Sequence, residues 1–175
     1  NIVYSSIRRL IPLPKLESTI SSAIAGEEEL YDSASPQLVA IRRKIRDAQN
    51  DVKIQLDKML KTFKDSLSDQ IVTLRGSRYV IPVRTDRRND IKGIVHDTSS
   101  SGATLFVEPI AIVEINNKIR EYMSDERDEI ERILAELSAH VKDEAPTLFL
   151  DREIVTYIDF IVAKGRLALS MKAMI

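Results

Sequence analysis

The stretch that decides the fold is residues 71–83, which read IVTLRGSRYVIPV, because the hydrophobic period changes there. β-Branched residues flank a turn signal at 75–77, a pattern that predicts a β-hairpin. Two further short β segments follow at 91–96 and 103–107, so four strands in one run predict a small antiparallel sheet. Pro82 lacks a backbone N–H, which predicts that its strand is an edge or carries a bulge.

One long helix is predicted before the sheet, over residues 36–69. Ser35 can cap it, because its oxygen can accept a backbone N–H that has no partner in the first turn, and Pro36 suits the first helical position. With a rise of about 1.5 Å per residue, this helix would be about 50 Å long. Apolar residues recur along it at steps of mostly three and four, as in a coiled coil: Leu38, Ile41, Ile45, Ala48, Val52, Leu56, Met59 or Leu60, Phe63 and Leu67.

Helical spacing returns after the sheet, over residues 108–145. The residues at 124–129 within it are polar throughout, which predicts a locally unpacked stretch. A last helix within 146–175 is apolar on more than one face, which predicts that it packs in a bundle. The apolar stripe on either side of the polar stretch consists of Ile112, Ile115, Ile119, Tyr122, Ile130, Ile133 or Leu134, Leu137 and Val141.

Together these elements predict a mainly α fold with a small antiparallel β-sheet. Two long helices form an antiparallel lever pair, because each apolar stripe needs the other for burial. A four-stranded, clamp-like sheet caps the far end of the pair, and short flanking helices pack as a bundle at its base. The predicted segments are an N-terminal core segment, a first lever helix, the clamp-like tip, a second lever helix and a C-terminal core helix, at 1–35, 36–69, 70–107, 108–145 and 146–175.

Composition excludes several classes of protein. The 175 residues contain no Cys, which excludes a disulfide-stapled domain, a thiolate metal site and a Cys nucleophile. No apolar run approaches the roughly 20 residues that cross a bilayer, and no Gly-x-x-x-x-Gly-Lys-Ser/Thr loop is present to hold ATP. No signal peptide follows Asn1, and residues 172–175 lie inside an apolar-periodic stretch. We therefore expect an excised fragment of a longer, cytoplasmic protein, with no membrane partner.

Basic charge concentrates in the predicted sheet. The whole chain has a net charge of −1, but residues 71–107 hold six basic and three acidic side chains, a net charge of +3. Basic side chains on turns and strand ends can contact phosphates without reading bases. A solvated sheet face is the alternative interpretation of the same charges. The candidate nucleic-acid contacts are Arg75, Arg78, Arg84, Arg87, Arg88 and Lys92.

The histidines do not form a recognisable catalytic site. His96 and Asp97 lie beside three serines at 99–101, but adjacent strand residues point to opposite faces, so a Ser-His-Asp triad is not expected. A polar strand end is the simpler interpretation. His140 lies beside Val141 in a predicted helix and is interpreted as a surface or hydrogen-bonded histidine. With two His and no Cys, no zinc site is expected, and we predict no catalytic, cofactor-binding or metal-binding residue.

Several motifs resemble one protein family. Residues 92–109 read KGIVHDTSSSGATLFVEP, and residues 78–83 read RYVIPV. Further motifs are DSASPQL at 32–38, IRR at 41–43 and EINNKIRE at 114–121. These motifs, which extend over nearly the whole chain, closely resemble the MutS-II branch of the bacterial MutS family.

The resemblance implies the core, lever and clamp region of a longer, ATP-driven protein that engages DNA. In the family this region is followed by a MutS-type ATPase, which would hold ATP and Mg²⁺, and by a small MutS-related nuclease domain. The resemblance also implies a homodimer, suppression of homologous recombination, and branched or duplex DNA, or stalled ribosomes and their rRNA, as partners. The family lacks the mismatch-reading N-terminal domain of mismatch-repair MutS.

Two functions from different classes are open. The first is a non-catalytic nucleic-acid-binding module, in which the sheet contacts the nucleic-acid backbone through the six basic residues and the helix pair transmits motion. The second is a protein-interaction or dimerisation arm that engages a second subunit or a ribosome. The long apolar stripes and the near-neutral total charge favour this second hypothesis.

Overall fold

The helices and strands lie close to where the hydrophobic periods predict them, and the mainly α fold with a small antiparallel sheet is confirmed. The computed structural model describes residues 2–27 and 29–171, so the parts of the predicted segments at Asn1, Glu28 and 172–175 lie outside the described residues. The helices are α1 (Ile2–Ile7), α2 (Pro14–Ala23), α3 (Pro36–Thr62), α4 (Ile110–Asp143) and α5 (Ala145–Ser170). The strands are β1 (Thr73–Arg75), β2 (Arg78–Arg84), β3 (Gly93–Thr98) and β4 (Thr104–Pro109).

The chain divides into two compact units. We call Asp32–Glu131 the sheet unit, and Asn1–Tyr31 together with Arg132–Ile175 the terminal unit. The sheet unit contains α3, the four strands and the first part of α4, whereas the terminal unit contains the other helices and the rest of α4. All six basic residues predicted to contact nucleic acid lie in the sheet unit.

The four strands form one antiparallel sheet in the order β1-β2-β4-β3. The first two strands form the predicted hairpin, with Arg75 opposite Arg78 across a two-residue turn. The prediction that Pro82 marks an edge strand or a bulge is wrong, since β2 lies between two strands and its register with β4 is regular. The proline fits because β1 pairs only as far as Val80; beyond it, the Ser68 backbone N–H donates to the Pro82 carbonyl oxygen at 3.0 Å.

The helix α3 begins where its start signature predicts it. The Ser35 Oγ accepts a hydrogen bond from the Leu38 backbone N–H at 2.9 Å, so the predicted cap is confirmed. The helix ends at Thr62, earlier than predicted, because Leu67 adopts an extended conformation and bridges Val83 of β2. The predicted apolar stripe is buried at Leu38, Ile41, Ile45, Ala48, Val52, Leu56 and Leu60.

Within the sheet unit, α4 packs antiparallel to α3, and polar groups hold part of this contact. The Ser35 Oγ lies 2.5 Å from Oε1 of the buried Glu129, and the Arg42 Nε donates to the Glu126 Oε1 at 2.7 Å. The predicted unpacked stretch at 124–129 is therefore wrong. Charged and hydroxyl groups replace apolar side chains in the packing there, and α4 continues through the stretch as one helix.

The core of the sheet unit joins α3, the sheet and α4. Burying a Leu, Ile or Val side chain fully contributes about 1.5–3 kcal/mol before conformational entropy is subtracted, so this shared core fixes the sheet against both helices. It thereby sets the position of the β1–β2 turn relative to α4, the two elements that carry the candidate site. Its most deeply buried members are Val52, Leu56, Ile81, Val83, Ile91, Val107, Ile112 and Ile119.

The terminal unit buries little of α5. Ile154 is the one buried residue among those described in this helix. The helix α1 packs against α5, and the Ile11 backbone N–H donates to the Asp151 Oδ1 at 3.1 Å. The pattern of α5 predicts burial on several faces, but within the described residues large apolar side chains remain exposed at Phe149, Val155, Tyr157, Phe160, Leu167 and Leu169.

Candidate nucleic-acid interface

The β1–β2 hairpin places two arginines side by side. Arg75 and Arg78 are register partners across the turn, and such partners lie on the same face of a sheet. Two like charges in this position repel each other, and two carboxylates offset the repulsion. The Arg75 Nε donates to the Asp97 Oδ2 at 3.0 Å, and the Arg78 Nη1 donates to the Glu108 Oε1 at 2.7 Å. The hairpin therefore holds two guanidinium groups in fixed positions, each paired with one carboxylate.

Glu108 is the centre of a buried polar network. Its side chain is 0% exposed, and it accepts hydrogen bonds from Arg78 and from the Asn116 Nδ2, the latter at 2.8 Å. The His96 Nε2 lies 2.5 Å from the Glu108 Oε2. Asn116 also bonds both backbone polar groups of Tyr79. The network thus ties α4 to β2 and β4 and fixes the positions of Arg78 and His96.

The surroundings of Glu108 favour its charged form. Burial by itself raises the pKa of a carboxyl, but hydrogen bonds from Asn116, His96 and Arg78 outweigh burial and hold the pKa of Glu108 below its ordinary value. The carboxylate is therefore ionised at neutral pH and compensates the charge of Arg78. A buried ion pair requires such additional hydrogen bonds if it is not to destabilise the fold.

A β-bulge at His96 brings two neighbouring side chains to one groove. The register of β3 with β4 shifts between Val95 and Asp97, which interrupts the alternation of faces, and both His96 and Asp97 line the same groove. The prediction that these two side chains point to opposite faces is wrong for this reason. The two side chains do not form a Ser-His-Asp triad. Asp97 accepts a hydrogen bond from Arg75 rather than from His96, and His96 bonds to Glu108.

These side chains open onto a positively charged groove that we call the arginine groove. It has a volume of about 400 Å³ and is lined by Arg75, Gly76, Arg78, His96, Asp97 and Arg120. Three of its lining residues are arginines, whereas Asp97 supplies its one lining carboxylate. Arg120, on α4, is exposed and has no ion-pair partner in the described part of the chain. Convergent guanidinium groups in a concave surface attract and bind oxyanions.

Two of the other predicted contacts are engaged within the protein. Arg84 lies at the opposite end of β2 from the hairpin turn, where its guanidinium forms a two-point pair with Asp86 at 2.9 and 3.1 Å. Arg88 donates to the backbone carbonyl oxygens of Ile91 and Gly93 at 2.9 and 2.8 Å. Arg88 therefore holds the segment between β2 and β3 in place rather than presenting all of its donors to solvent.

The remaining two predicted contacts, Arg87 and Lys92, are exposed on the segment between β2 and β3. Neither has a side-chain hydrogen bond or a salt bridge with any residue that the structure describes. The structure thus brings together Arg75 and Arg78 of the six predicted residues, and it does not place Arg84 with them.

Arg120 was missed by sequence reasoning because charges were counted only in the predicted strands and turns. On α4, Arg120 and Arg127 are seven residues apart, which places them on one helix face. The positions between them on that face are Met123 and Ser124, so no acidic residue interrupts it. This spacing is the signal by which the sequence could have identified a basic helix face beside the sheet.

In residues 2–27 and 29–171, no group of three or more His, Cys, Asp or Glu side chains is placed to hold a metal ion. No helix in the same ranges combines the length and the apolarity needed to cross a membrane. The arginine groove offers several N–H donors to a single oxyanion.

Comparison with known proteins points to one family. Over 166 residues, 95% of the chain, it is 45% identical to a protein named Endonuclease MutS2 from Caldanaerobacter subterraneus subsp. tengcongensis. Proteins of the same name from Clostridium acetobutylicum and Acetivibrio thermocellus are both 44% identical, over 94% and 97% of the chain. The chain spans about a fifth of the length of these relatives, 21% to 22%. No family model matches the chain.

Proposed function

Since this chain belongs to the MutS2 branch of the MutS family, we propose that it is the nucleic-acid-binding lever and clamp region of a longer MutS2-type protein. The sheet acts as the clamp and contacts the sugar–phosphate backbone of branched or duplex DNA. The helices α3 and α4 act as levers, and the region itself is non-catalytic. The proposed contacts are Arg75, Arg78, Arg84, Arg87, Arg88 and Lys92, to which we add Arg120.

The arginine groove is the observation that supports this proposal most. The planar guanidinium group donates two parallel hydrogen bonds to a phosphate, a geometry that lysine lacks. Arg75 and Arg78 are held in place by carboxylates, whereas Arg120 keeps its donors free of ion pairs with described residues. Contacts of this kind orient a protein on nucleic acid without reading its sequence, which suits recognition of a branched structure.

We extend the proposal to the whole protein through the name of its relatives, which are called endonucleases. In this proposal the nuclease lies outside the present chain, as does an ATPase that binds ATP and Mg²⁺. The full-length protein acts in the cytoplasm as a homodimer and suppresses homologous recombination by engaging branched DNA. Movements driven by ATP reach the sheet through α3 and α4.

Charge reversal at Arg120 tests the proposal. In the R120E variant of the 175-residue chain, we expect affinity for a fluorescein-labelled duplex or four-way junction to fall by about tenfold or more, because repulsion replaces a phosphate contact. The slope of log K against log salt concentration should become shallower by about 0.9 for each lost contact. Fluorescence anisotropy over a series of salt concentrations measures both quantities.

R43E is the matched control. Arg43 is an exposed arginine on α3, outside the groove, with its Nε 3.7 Å from the Asp47 Oδ2, so the same charge change should affect binding much less. R87E combined with K92E measures what the segment between β2 and β3 adds. Equal losses of affinity in R120E and R43E, or no binding by the unmodified chain, would count against the proposal.

The second candidate function is a protein-interaction or dimerisation arm, which the exposed apolar side chains of α5 favour. Phe149 and Phe160 are 57% and 59% exposed and are eleven residues apart, which places them on one face of the helix. Exposed apolar surface of this kind marks interaction sites. The partner would be a second subunit or a stalled ribosome. Sedimentation of the chain with and without nucleic acid separates the two candidates, because self-association without DNA or RNA binding would favour this one.

A further inference from the structure

A second, smaller groove adjoins the arginine groove. It has a volume of about 170 Å³ and is lined by Gly76, Ser77, Arg120, Met123 and Arg127. We call it the serine groove. Gly76 and Arg120 line both grooves, so the two are contiguous along the side of the sheet unit where the hairpin turn meets α4.

The α4 side of the serine groove is a basic stripe without acidic members. Arg120, Met123 and Arg127 follow the spacing of three and four residues that aligns side chains along a helix. Both arginines are exposed, and neither has an ion-pair partner among the residues for which the structure gives a position. Neither guanidinium group is therefore held by a direct ion pair with a described carboxylate, in contrast to those of Arg75 and Arg78.

The hairpin side of the groove carries a serine in a conformation that favours glycine. Gly76 has a φ of 55° and Ser77 a φ of 63°, and positive φ at both positions is typical of a type I′ turn. A left-handed backbone at a residue with a Cβ is disfavoured, so a glycine at position 77 would satisfy this turn at lower conformational cost. The Ser77 hydroxyl has no hydrogen-bond partner within the described ranges. Neither the backbone conformation nor an internal hydrogen bond therefore explains why position 77 is a serine rather than a glycine.

We propose that the serine groove seats a backbone phosphate of a nucleic-acid strand, next to the phosphate held in the arginine groove. The Ser77 hydroxyl and the Arg127 guanidinium donate hydrogen bonds to its oxygens, and Arg120 is shared between the two phosphates. Two contiguous phosphate-binding grooves that share an arginine suit successive phosphates of one strand better than two unconnected anions. This inference rests on the proposed function, because it assigns two further contacts to the same surface.

Two substitutions in the 175-residue chain test the serine groove. R127Q should weaken binding of a fluorescein-labelled duplex by about tenfold, as expected for loss of a charge-assisted hydrogen bond, and should make the salt slope shallower by about 0.9. S77G should weaken binding severalfold with little change in the salt slope, since it removes a neutral donor. Its thermal midpoint should be unchanged or higher than that of the unmodified chain, because the left-handed turn is relieved. R43Q on α3 is the control for R127Q and should bind like the unmodified chain.

The outcomes separate this inference from the proposed function. If the unmodified chain binds no nucleic acid, both fail. If the unmodified chain binds the duplex, and S77G and R127Q bind it with the same affinity and the same salt slope as the unmodified chain, the inference alone is overturned. A lower thermal midpoint for S77G would show that Ser77 stabilises the turn, and this result would also overturn the inference. Pyrophosphate that binds the unmodified chain and is lost in R127Q, while the duplex binds both proteins equally well, would assign the groove to a free phosphate compound instead.

Discussion

Replacing Glu108 by alanine is expected to destabilise the sheet unit by about 3–5 kcal/mol, the range measured when one partner of a buried ion pair is removed. The substitution leaves Arg78 without its carboxylate and deprives Asn116 and His96 of a shared acceptor. These groups cannot all turn to water, because Asn116 is 0% exposed and the Arg78 side chain only 16%. Urea unfolding followed by circular dichroism should show the loss as a lower midpoint.

E108Q is the comparison variant, since glutamine keeps the shape of the side chain and one acceptor oxygen. It should lower the free energy of unfolding by less than E108A does. The pKa of Glu108 is lowered in the folded protein, so its charged form contributes stability above the ordinary value of 4.5, and that contribution is lost as pH falls through the lowered pKa. The difference in unfolding free energy between the unmodified chain and E108Q should therefore narrow on acidification. An E108A midpoint equal to that of the unmodified chain would contradict the structural role of the network.

Replacing Gly93 by alanine should destabilise the sheet by at least the upper end of the roughly 1–3 kcal/mol that overpacking costs. A Cβ at position 93 would overlap the Glu108 backbone carbonyl oxygen and would lie 2.6 Å from the Val107 Cγ1. The first atom belongs to the backbone of β4, so no side-chain rotation can relieve the overlap. β3 and β4 would have to separate where Gly93 pairs with Pro109.

Gly165 supplies a control of the opposite sign. It lies inside α5, where an added Cβ would have no atom within 4 Å, so G165A should raise stability by roughly 0.5–1 kcal/mol. Urea unfolding of both variants, with amide hydrogen exchange to locate the affected strands, measures the contrast. Equal effects of G93A and G165A would show that the packing of β3 on β4 is looser than the structure describes.

Local signals made much of the fold predictable from sequence. A capped apolar stripe predicted α3 because a Ser-Pro start and a period near 3.6 residues are properties of a single segment. The turn signal at 75–77 predicted the hairpin for the same reason, and the structure places Arg75 opposite Arg78 as that turn requires. The resemblance to the MutS-II branch, carried by continuous motifs, is confirmed by identities of 44% to 45% over nearly the whole chain.

Features that depend on a distant partner were not predictable in this way. The polar stretch at 124–129 packs because Ser35 and Arg42 face it from α3. Pro82 is tolerated because β1 stops short of it, and the bulge at His96 follows from how β3 pairs with β4. For the arginine groove, charge counting in the strands and turns identified Arg75 and Arg78. The sequence also carries the basic face of α4 that includes Arg120, but the position of that face beside the turn depends on the core.

Amide hydrogen exchange of the 175-residue chain, with and without duplex DNA, tests the central claim most directly, because it reports where nucleic acid lies on the protein. Binding through the two grooves should slow exchange at the hairpin turn, residues 75–78, and along residues 120–127 of α4, and should leave α5 unchanged. Slower exchange confined to α5, or none at the turn and α4 despite measurable binding, would contradict the account.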